Sequence, residues 1–380
     1  MKNFFQKIDI QILFFVGLFF GLSIAAILIP NFDSYQISFS FLKKLKPSIW
    51  ILLLIPIYIS YRLLEDISFK EKVFLLLLFT LFSIFCVDIH FTNVDILNYF
   101  PDKLSILWQI ELHEKIMSHD PESIPHSYRF LANAFITVLL AWNKNHLVCF
   151  LIYRFIFQYL LIFSIFYWAR LYTSRNTSLL TVVFYLLVYP ISIRFYAGQP
   201  IDPLSHFCFI LSFIFLEKKL DFYFIITVLI GILAKESILL MPIVFFIYRK
   251  KNLNNLIKTS IFLLLCMIII LLIRWIITNN QLEYKNISGV TPKHILDNLK
   301  DGLRWYRQFF STIVLLLPLT ILEWKNSKKI LKILIIFLGF FLVLSNLIFS
   351  WLTEARNFIP FLIPMCLLNA SYLTKDSKSL

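Results

Sequence analysis

Ionisable side chains are scarce along this chain, and those that interrupt its apolar runs are of kinds that activate hydroxyls and hold phosphates. The interval from Asp88 to Arg129 opens with Val87-Asp88-Ile89-His90 and continues through Asn93-Val94-Asp95-Ile96-Leu97-Asn98-Tyr99. It closes on Pro125-His126-Ser127-Tyr128-Arg129-Phe130-Leu131. On a continuous helix Asp88 and Asp95 stand about two turns apart, which puts both carboxylates on one face. Such a carboxylate could act as general base toward an acceptor hydroxyl or amine, or help to hold a divalent cation. It could equally mark a helix end in water. Arg129, with Tyr128 beside it, is shaped to bind a phosphate bidentately, although arginines also snorkel at interfaces.

Three further places have the same character. Arg194-Phe195-Tyr196-Ala197-Gly198-Gln199-Pro200-Ile201-Asp202-Pro203 sets a charge of each sign among helix-breaking residues between two apolar runs. Non-helical backbone at such depth is tolerated where it lines a wet cavity; a plain turn is the simpler alternative. Lys235-Glu236 lies between two short apolar runs, where Lys235 could meet a phosphate with Glu236 as its partner, or the two could neutralise each other in a tight turn. Arg356 belongs to Glu354-Ala355-Arg356-Asn357, and Arg274, Arg304 and Arg307 add further cations. No phosphate-binding glycine loop, dinucleotide fingerprint, zinc-protease motif or serine-hydrolase elbow occurs, so those chemistries lose their usual sequence support.

The elements that position these residues are hydrophobic helices. The 380 residues are 59% hydrophobic and 15% charged, with runs of about 20 apolar residues that could each cross a hydrocarbon core of about 30 Å. This predicts an all-α, polytopic transmembrane bundle with about 11–13 membrane helices, forming a single integral-membrane domain over residues 1–380. The runs lie near 12–29, 48–61, 73–89, 128–142, 147–168, 179–193, 203–216, 222–234, 238–248, 258–277, 309–322, 330–350 and 357–373. The amino-terminal run reads as an uncleaved first helix. The net charge of +14 comes from lysines and arginines in short links, a membrane-anchor pattern and not a nucleic-acid surface. Cys86, Cys149, Cys208, Cys266 and Cys366 all fall inside apolar runs, which supports neither a disulfide framework nor a metal site.

Lysine-rich links at 217–219, 249–258 and 325–332 predict one cytoplasmic side, which places the chemistry-bearing turns on the other. External loops are expected at 90–127 and 278–308. Between the outward turns at 90–127 and 194–202 three runs intervene where an even number is required. The short run 128–142 could therefore be a dipping piece, the run after it could be divided, or the amino-terminal count could be off. Residues 101–118 are expected to form an interfacial amphipathic helix, with Leu104, Leu107, Trp108, Leu112 and Ile116 opposite Lys103, Gln109, His113 and Glu114.

The order of these features resembles the GT-C integral-membrane glycosyltransferases. Asp95-Ile96-Leu97-Asn98-Tyr99 is similar to the family's acidic motif in its first external loop, and Pro125 to Leu131 to its Pro-Tyr-x-Tyr-Arg-x-Leu phrase. Gln199-Pro200-Ile201-Asp202-Pro203 resembles an aspartate-bearing external turn, Gly231-Ile232-Leu233-Ala234-Lys235-Glu236 a Gly-x-x-x-Lys-Glu segment, and Glu354 to Pro360 a late Arg-x-x-x-Pro phrase. The Asp-x-Asp or Glu-x-Asp pair is missing. The resemblance implies transfer of a sugar from a polyprenyl-phosphate donor to a lipid or glycan acceptor at the external face of an inner membrane. Asp95, with Asp88 as second candidate, would be the catalytic base or the acid that positions the acceptor. His90, Tyr128, Arg129, Arg194, Asp202, Lys235, Glu236 and Arg356 would bind substrate. No organic cofactor and no dedicated metal site is expected, although an acid pair could hold a divalent cation. Partners would be the lipid-linked donor, the acceptor and membrane lipids, with no nucleic acid. Other readings are a lipid-linked polysaccharide polymerase or ligase, a flippase-type transporter, and a non-catalytic membrane subunit.

Overall fold

The computed structural model describes residues 47–64, 66–96, 106–118, 128–193, 200–249, 251–277, 292–300, 310–349, 352 and 354–374. Among them there is no strand. In chain order the helices are α1 (Pro47–Leu63), α2 (Phe69–Ile96), α3 (Ile106–Met117), α4 (Phe130–Trp142) and α5 (His146–Ala169). They continue with α6 (Arg175–Ile193), α7 (Ile201–Glu217), α8 (Asp221–Ala234), a 3-10 turn (Glu236–Leu240) and α9 (Met241–Tyr248). Then follow α10 (Leu253–Ile277), α11 (Pro292–Lys300), α12 (Ser311–Glu323), α13 (Lys329–Ile333), a π turn (Leu334–Leu338) and α14 (Gly339–Phe349). A 3-10 turn (Ala355–Phe358) leads into α15 (Ile359–Thr374).

Each described apolar run is a helix because, in a hydrocarbon solvent, only internal hydrogen bonding satisfies the backbone. Among the described residues six segments are long and apolar enough to cross a membrane: Phe69–His90, His146–Ala169, Arg175–Ile193, Leu253–Ile273, Lys329–Ile348 and Ala355–Thr374. The other apolar helices are shorter. At a rise of about 1.5 Å per residue, α4 and α8 cover about 20 Å, less than a hydrocarbon core. The protein is thus an all-α membrane-type bundle with fewer full-length spans, among the described residues, than the 11–13 expected.

α5, α7 and α15 form its middle. α5 packs on α2, α6 and α7, and α15 on α6 and α12. Trp168, Tyr153, Phe166, Phe209 and Phe213 are fully buried there, with the Trp168 and Phe213 rings 5.8 Å apart. Aromatic contacts of this kind stabilise packing beyond the area they bury.

Contacts at the helix ends sort the links into two sets. At one end Glu71 pairs with Arg175, Tyr248 donates to Glu217, Lys218 donates to Tyr167, Arg249 pairs with Asp221, Lys328 lies over Tyr172 and Thr177 meets Thr374. The three lysine-rich links lie at this end, as their charge predicts. α2 starts and α5 finishes there, so the end of α2 and the start of α5 share the opposite end. α3 and α4 together therefore make no net crossing, which closes the parity gap in favour of a non-crossing α4.

α3 forms, but with a different face inward. Gln109, His113 and Ile116 are buried. His113 Nδ1 is 3.0 Å from Asn133 Oδ1 on α4, and its ring stands edge-on to Phe150 on α5. His113, expected toward water, is inside because Asn133 on a neighbouring helix supplies its hydrogen bond. Burial lowers the His113 pKa, against the opposing effect of the Asn133 contact.

Candidate functional site

The end of the bundle opposite the basic links gathers ionisable side chains from four places in the chain. Asp202 stands in the first turn of α7, where Pro200 and Pro203 need supply no intrahelical donor and a carboxylate meets the positive end of the helix dipole. Lys235 ends α8 in an extended conformation, φ −162° and ψ 129°, while its backbone N–H still bonds Gly231 O at 2.8 Å. The chain then turns back through Glu236–Leu240. Gly231 makes this reversal feasible, since a Cβ there would come within 2.3 Å of Ile238 Cδ1 and 3.1 Å of Cys208 Cβ. Arg356 and Asn357 lie on the 3-10 turn before α15. Arg129 is the N-cap of α4.

These side chains form one network. Asp202 Oδ1 is 3.1 Å from Lys235 Nζ, and Asp202 Oδ2 is 2.9 Å from Arg356 Nε. Arg356 Nη2 reaches Glu354 Oε2 at 2.9 Å. Lys235 also donates to Asn357, whose amide nitrogen donates to Asn346 Oδ1 at 3.1 Å and to Glu354 Oε2 at 3.0 Å. Arg129 Nε pairs with Glu236 Oε2 at 3.0 Å. Lys235 and Glu236 are consecutive but do not pair with each other in this set. The extended backbone at Lys235 sends one side chain toward Asp202 and the other toward Arg129, so the alternative of a self-neutralised pair does not hold.

Burial works against the Arg129 charge, but the adjacent Glu236 carboxylate, with Glu354 and Asp202 farther off, raises its pKa above the ordinary arginine value. The network is therefore a set of fixed charges, with Asp202 organising Lys235 and Arg356 from between them. A carboxylate held by two cations is a poor proton acceptor.

His90 is buried near the end of α2, with Arg154, Asp202 and Arg356 as its charged neighbours. Tyr128 is half-buried beside Arg129. Asp88 is half-buried on α2, turned about 200° from His90 by helical register. It joins none of the ion pairs above, so the structure brings His90 into the network and leaves Asp88 outside it. α2 is unbroken through both Asp88 and Asp95, as their shared face requires, while the Asp95 side chain and the whole of Arg194 lie outside the described residues. Of the expected site, Arg129, Asp202, Lys235, Glu236, Arg356 and His90 come together.

Other members were not singled out for this site from sequence. Arg154 and Gln158, one turn apart on α5, line a small cavity with Tyr189 of α6, Asp202, His206 and Arg356. Their i, i+4 spacing within an apolar run was the available signal, and Asp202 and His206 repeat it on α7. Gln158 Nε2 donates to Tyr185 at 2.9 Å. Among the described residues no three His, Cys, Asp or Glu side chains converge as a metal-binding group.

No protein-family model, curated protein or solved structure matches the chain.

Proposed function

We propose that the protein is a membrane glycosyltransferase of the GT-C type, moving a sugar from a polyprenyl-phosphate donor to a lipid or glycan acceptor. The observation that carries this reading is the convergence of Arg129, Lys235 and Arg356 with Asp202 at the end of the bundle away from the lysine-rich links. Ionisable groups at membrane depth are costly and are retained where they meet substrate. By the positive-inside rule the lysine-rich end faces the cytoplasm and the cation cluster faces outward, across the inner membrane.

Lys235, Arg356 and Arg129 hold the lipid phosphate, whose negative charge grows as the glycosyl bond breaks. Asp202 fixes the two cations it bridges and keeps them pre-aligned. The acid that positions the acceptor is Asp95 in this reading, with Asp88 as the second candidate. Tyr128 and His90 complete the wall of the site among the described residues. The flippase reading fits less well, because Arg154, Gln158 and Asn346 are polar groups at the cluster. Toward the basic end the core is filled by Trp168, Phe166 and Phe213.

The test is transfer of radiolabelled sugar from a polyprenyl-phosphate donor in proteoliposomes. Lys235→Met is expected to lower kcat by about 100-fold or more, the size of effect seen when one preorganised charge-stabilising donor is lost. Transfer at the wild-type rate by Lys235→Met protein of equal abundance would remove the assignment, as would absence of transfer by the wild type across lipid-linked donors.

A further inference from the structure

His206 lies one turn beyond Asp202 on the same face of α7 and is 3% exposed. Its ring hydrogen-bonds the backbone of Arg356, whereas Nε2 is buried with no hydrogen-bond partner among the described residues. A histidine that donates one ring proton to a backbone carbonyl presents its other nitrogen as a lone pair. That nitrogen belongs to the cavity lined by Arg154, Gln158, Tyr189, Asp202 and Arg356, which has room for about one water molecule.

A buried acceptor left unmatched is costly, so the cavity calls for an occupant that donates to Nε2. The guanidinium groups of Arg154 and Arg356 and the amide of Gln158 are donors, so the same occupant must also accept. A hydroxyl does both. A phosphate oxygen, which only accepts, would set its lone pairs against that of Nε2. The site is thus divided by chemistry: the cations at Arg129 and Lys235 suit an anion, and the cavity lined by Arg154, Gln158 and His206 suits an alcohol.

We propose that this cavity is the subsite for the acceptor's hydroxyl, and that His206 Nε2 takes its proton during glycosyl transfer. The proposal rests on the glycosyltransferase reading above. The hydroxyl oxygen bonds to the anomeric carbon of the sugar, and the bond from that carbon to the lipid-phosphate oxygen breaks. The bonding electron pair leaves with the phosphate, beside Lys235 and Arg356, and the hydroxyl proton goes to Nε2. The imidazolium so formed has Asp202 one turn away to offset its charge, and it releases the proton to water after the product departs. The ionisable groups facing His206 are Asp202 on its own helix, Arg154 on α5, Tyr189 on α6, Lys235 after α8 and Arg356 before α15.

His206→Gln keeps the size and hydrogen bonding of the side chain but takes no proton. Compared with wild type in proteoliposomes at matched abundance, it is expected to lose about 100-fold or more in kcat, with donor KM within about twofold. The acid limb of the wild-type pH profile should vanish, and added imidazole should partly restore His206→Ala. If His206→Gln fails to fold, His206→Asn takes its place. A variant that transfers within about threefold of wild type, or whose loss lies wholly in donor KM, overturns the proposal and leaves the cavity as the seat of a buried structural water. Failure of the wild type to transfer any lipid-linked sugar removes the glycosyltransferase reading itself. Undiminished transfer by the histidine variants removes His206 alone.

Discussion

Both ends of this bundle carry ion pairs, but in opposite circumstances. At the lysine-rich end the Glu71 and Arg175 side chains are 47% and 41% exposed, and Asp221 is 49% exposed beside Arg249. At the other end Arg356, Asp202 and Lys235 are 3%, 6% and 10% exposed. An exposed pair contributes about 0–1 kcal/mol and is weakened by salt. A buried pair has to offset several kcal/mol of desolvation for each ion, and well-packed hydrophobic residues of similar volume often serve stability as well or better. The basic end thus has charges that orient and solubilise. The buried end has charges that stability alone does not explain, and this asymmetry is seen without reference to any motif.

Removing Asp202 is the strongest way to break this comparison. Asp202→Ala would leave Lys235 and Arg356 as uncompensated buried cations and should destabilise the bundle by about 3–5 kcal/mol, read as a fall in melting temperature and membrane abundance. Combining Asp202→Leu with Lys235→Met and Arg356→Met should recover most of that stability while abolishing transfer. If Asp202→Ala proves as mild as Glu71→Ala, the two ends are energetically alike and the argument from burial collapses.

Gly231→Ala probes the scaffold under the buried end. The new methyl would lie 3.1 Å from Cys208 Cβ, which cannot swing aside, and would drive into the flexible tip of Ile238. Overpacking of this kind costs about 1–3 kcal/mol, and here it would also displace the turn that presents Lys235 and Glu236. Activity should therefore fall by more than the loss of folded protein accounts for. Equal losses in activity and abundance would show that the turn tolerates the shift.

The Arg129–Glu236 pair lies between the two extremes, with side chains 25% and 27% exposed. Glu236→Gln should cost about 1 kcal/mol, and Arg129→Glu rather more, because it opposes two like charges. The exchange Arg129→Glu with Glu236→Arg should restore melting temperature toward wild type. Transfer should not return, since the cation would then sit on the wrong element. Recovery of both would make this pair structural.

The helices were legible because their signal is local. The run at 147–168 became His146–Ala169 and that at 203–216 became Ile201–Glu217, since apolar length alone dictates a helix in lipid. Arg129, Asp202, Lys235 and Arg356 were legible for a related reason: a charge breaking into an apolar run stands out. What escaped was partnership. Lys235 looked paired with its neighbour Glu236, but one extended residue parts them and joins Lys235 to Asp202, 33 positions away. His113 looked like a residue for water until Asn133, on another helix, accepted it. His206 carried only its i, i+4 spacing from Asp202, while the cavity it lines with Arg154 is made across two helices.

The smallest expected effect belongs to the basic end and has the opposite sign. Lys219 closes α7 in the left-handed conformation, φ 59°. Leu220 N bonds Phe215 O at 2.9 Å and Lys219 N bonds Leu216 O at 3.3 Å, the paired pattern that ends helices most comfortably at glycine. A side chain there strains the backbone by about 1–2 kcal/mol, while glycine adds about 0.5–1 kcal/mol of freedom to the unfolded chain. Lys219→Gly should therefore raise stability by a margin of up to about 1 kcal/mol and leave transfer unchanged. Its charge is one of several at that end, so orientation in the membrane should hold as well. A loss of transfer in Lys219→Gly protein of normal abundance would mean that the lysine-rich end takes part in the chemistry, and the division between the two ends would no longer stand.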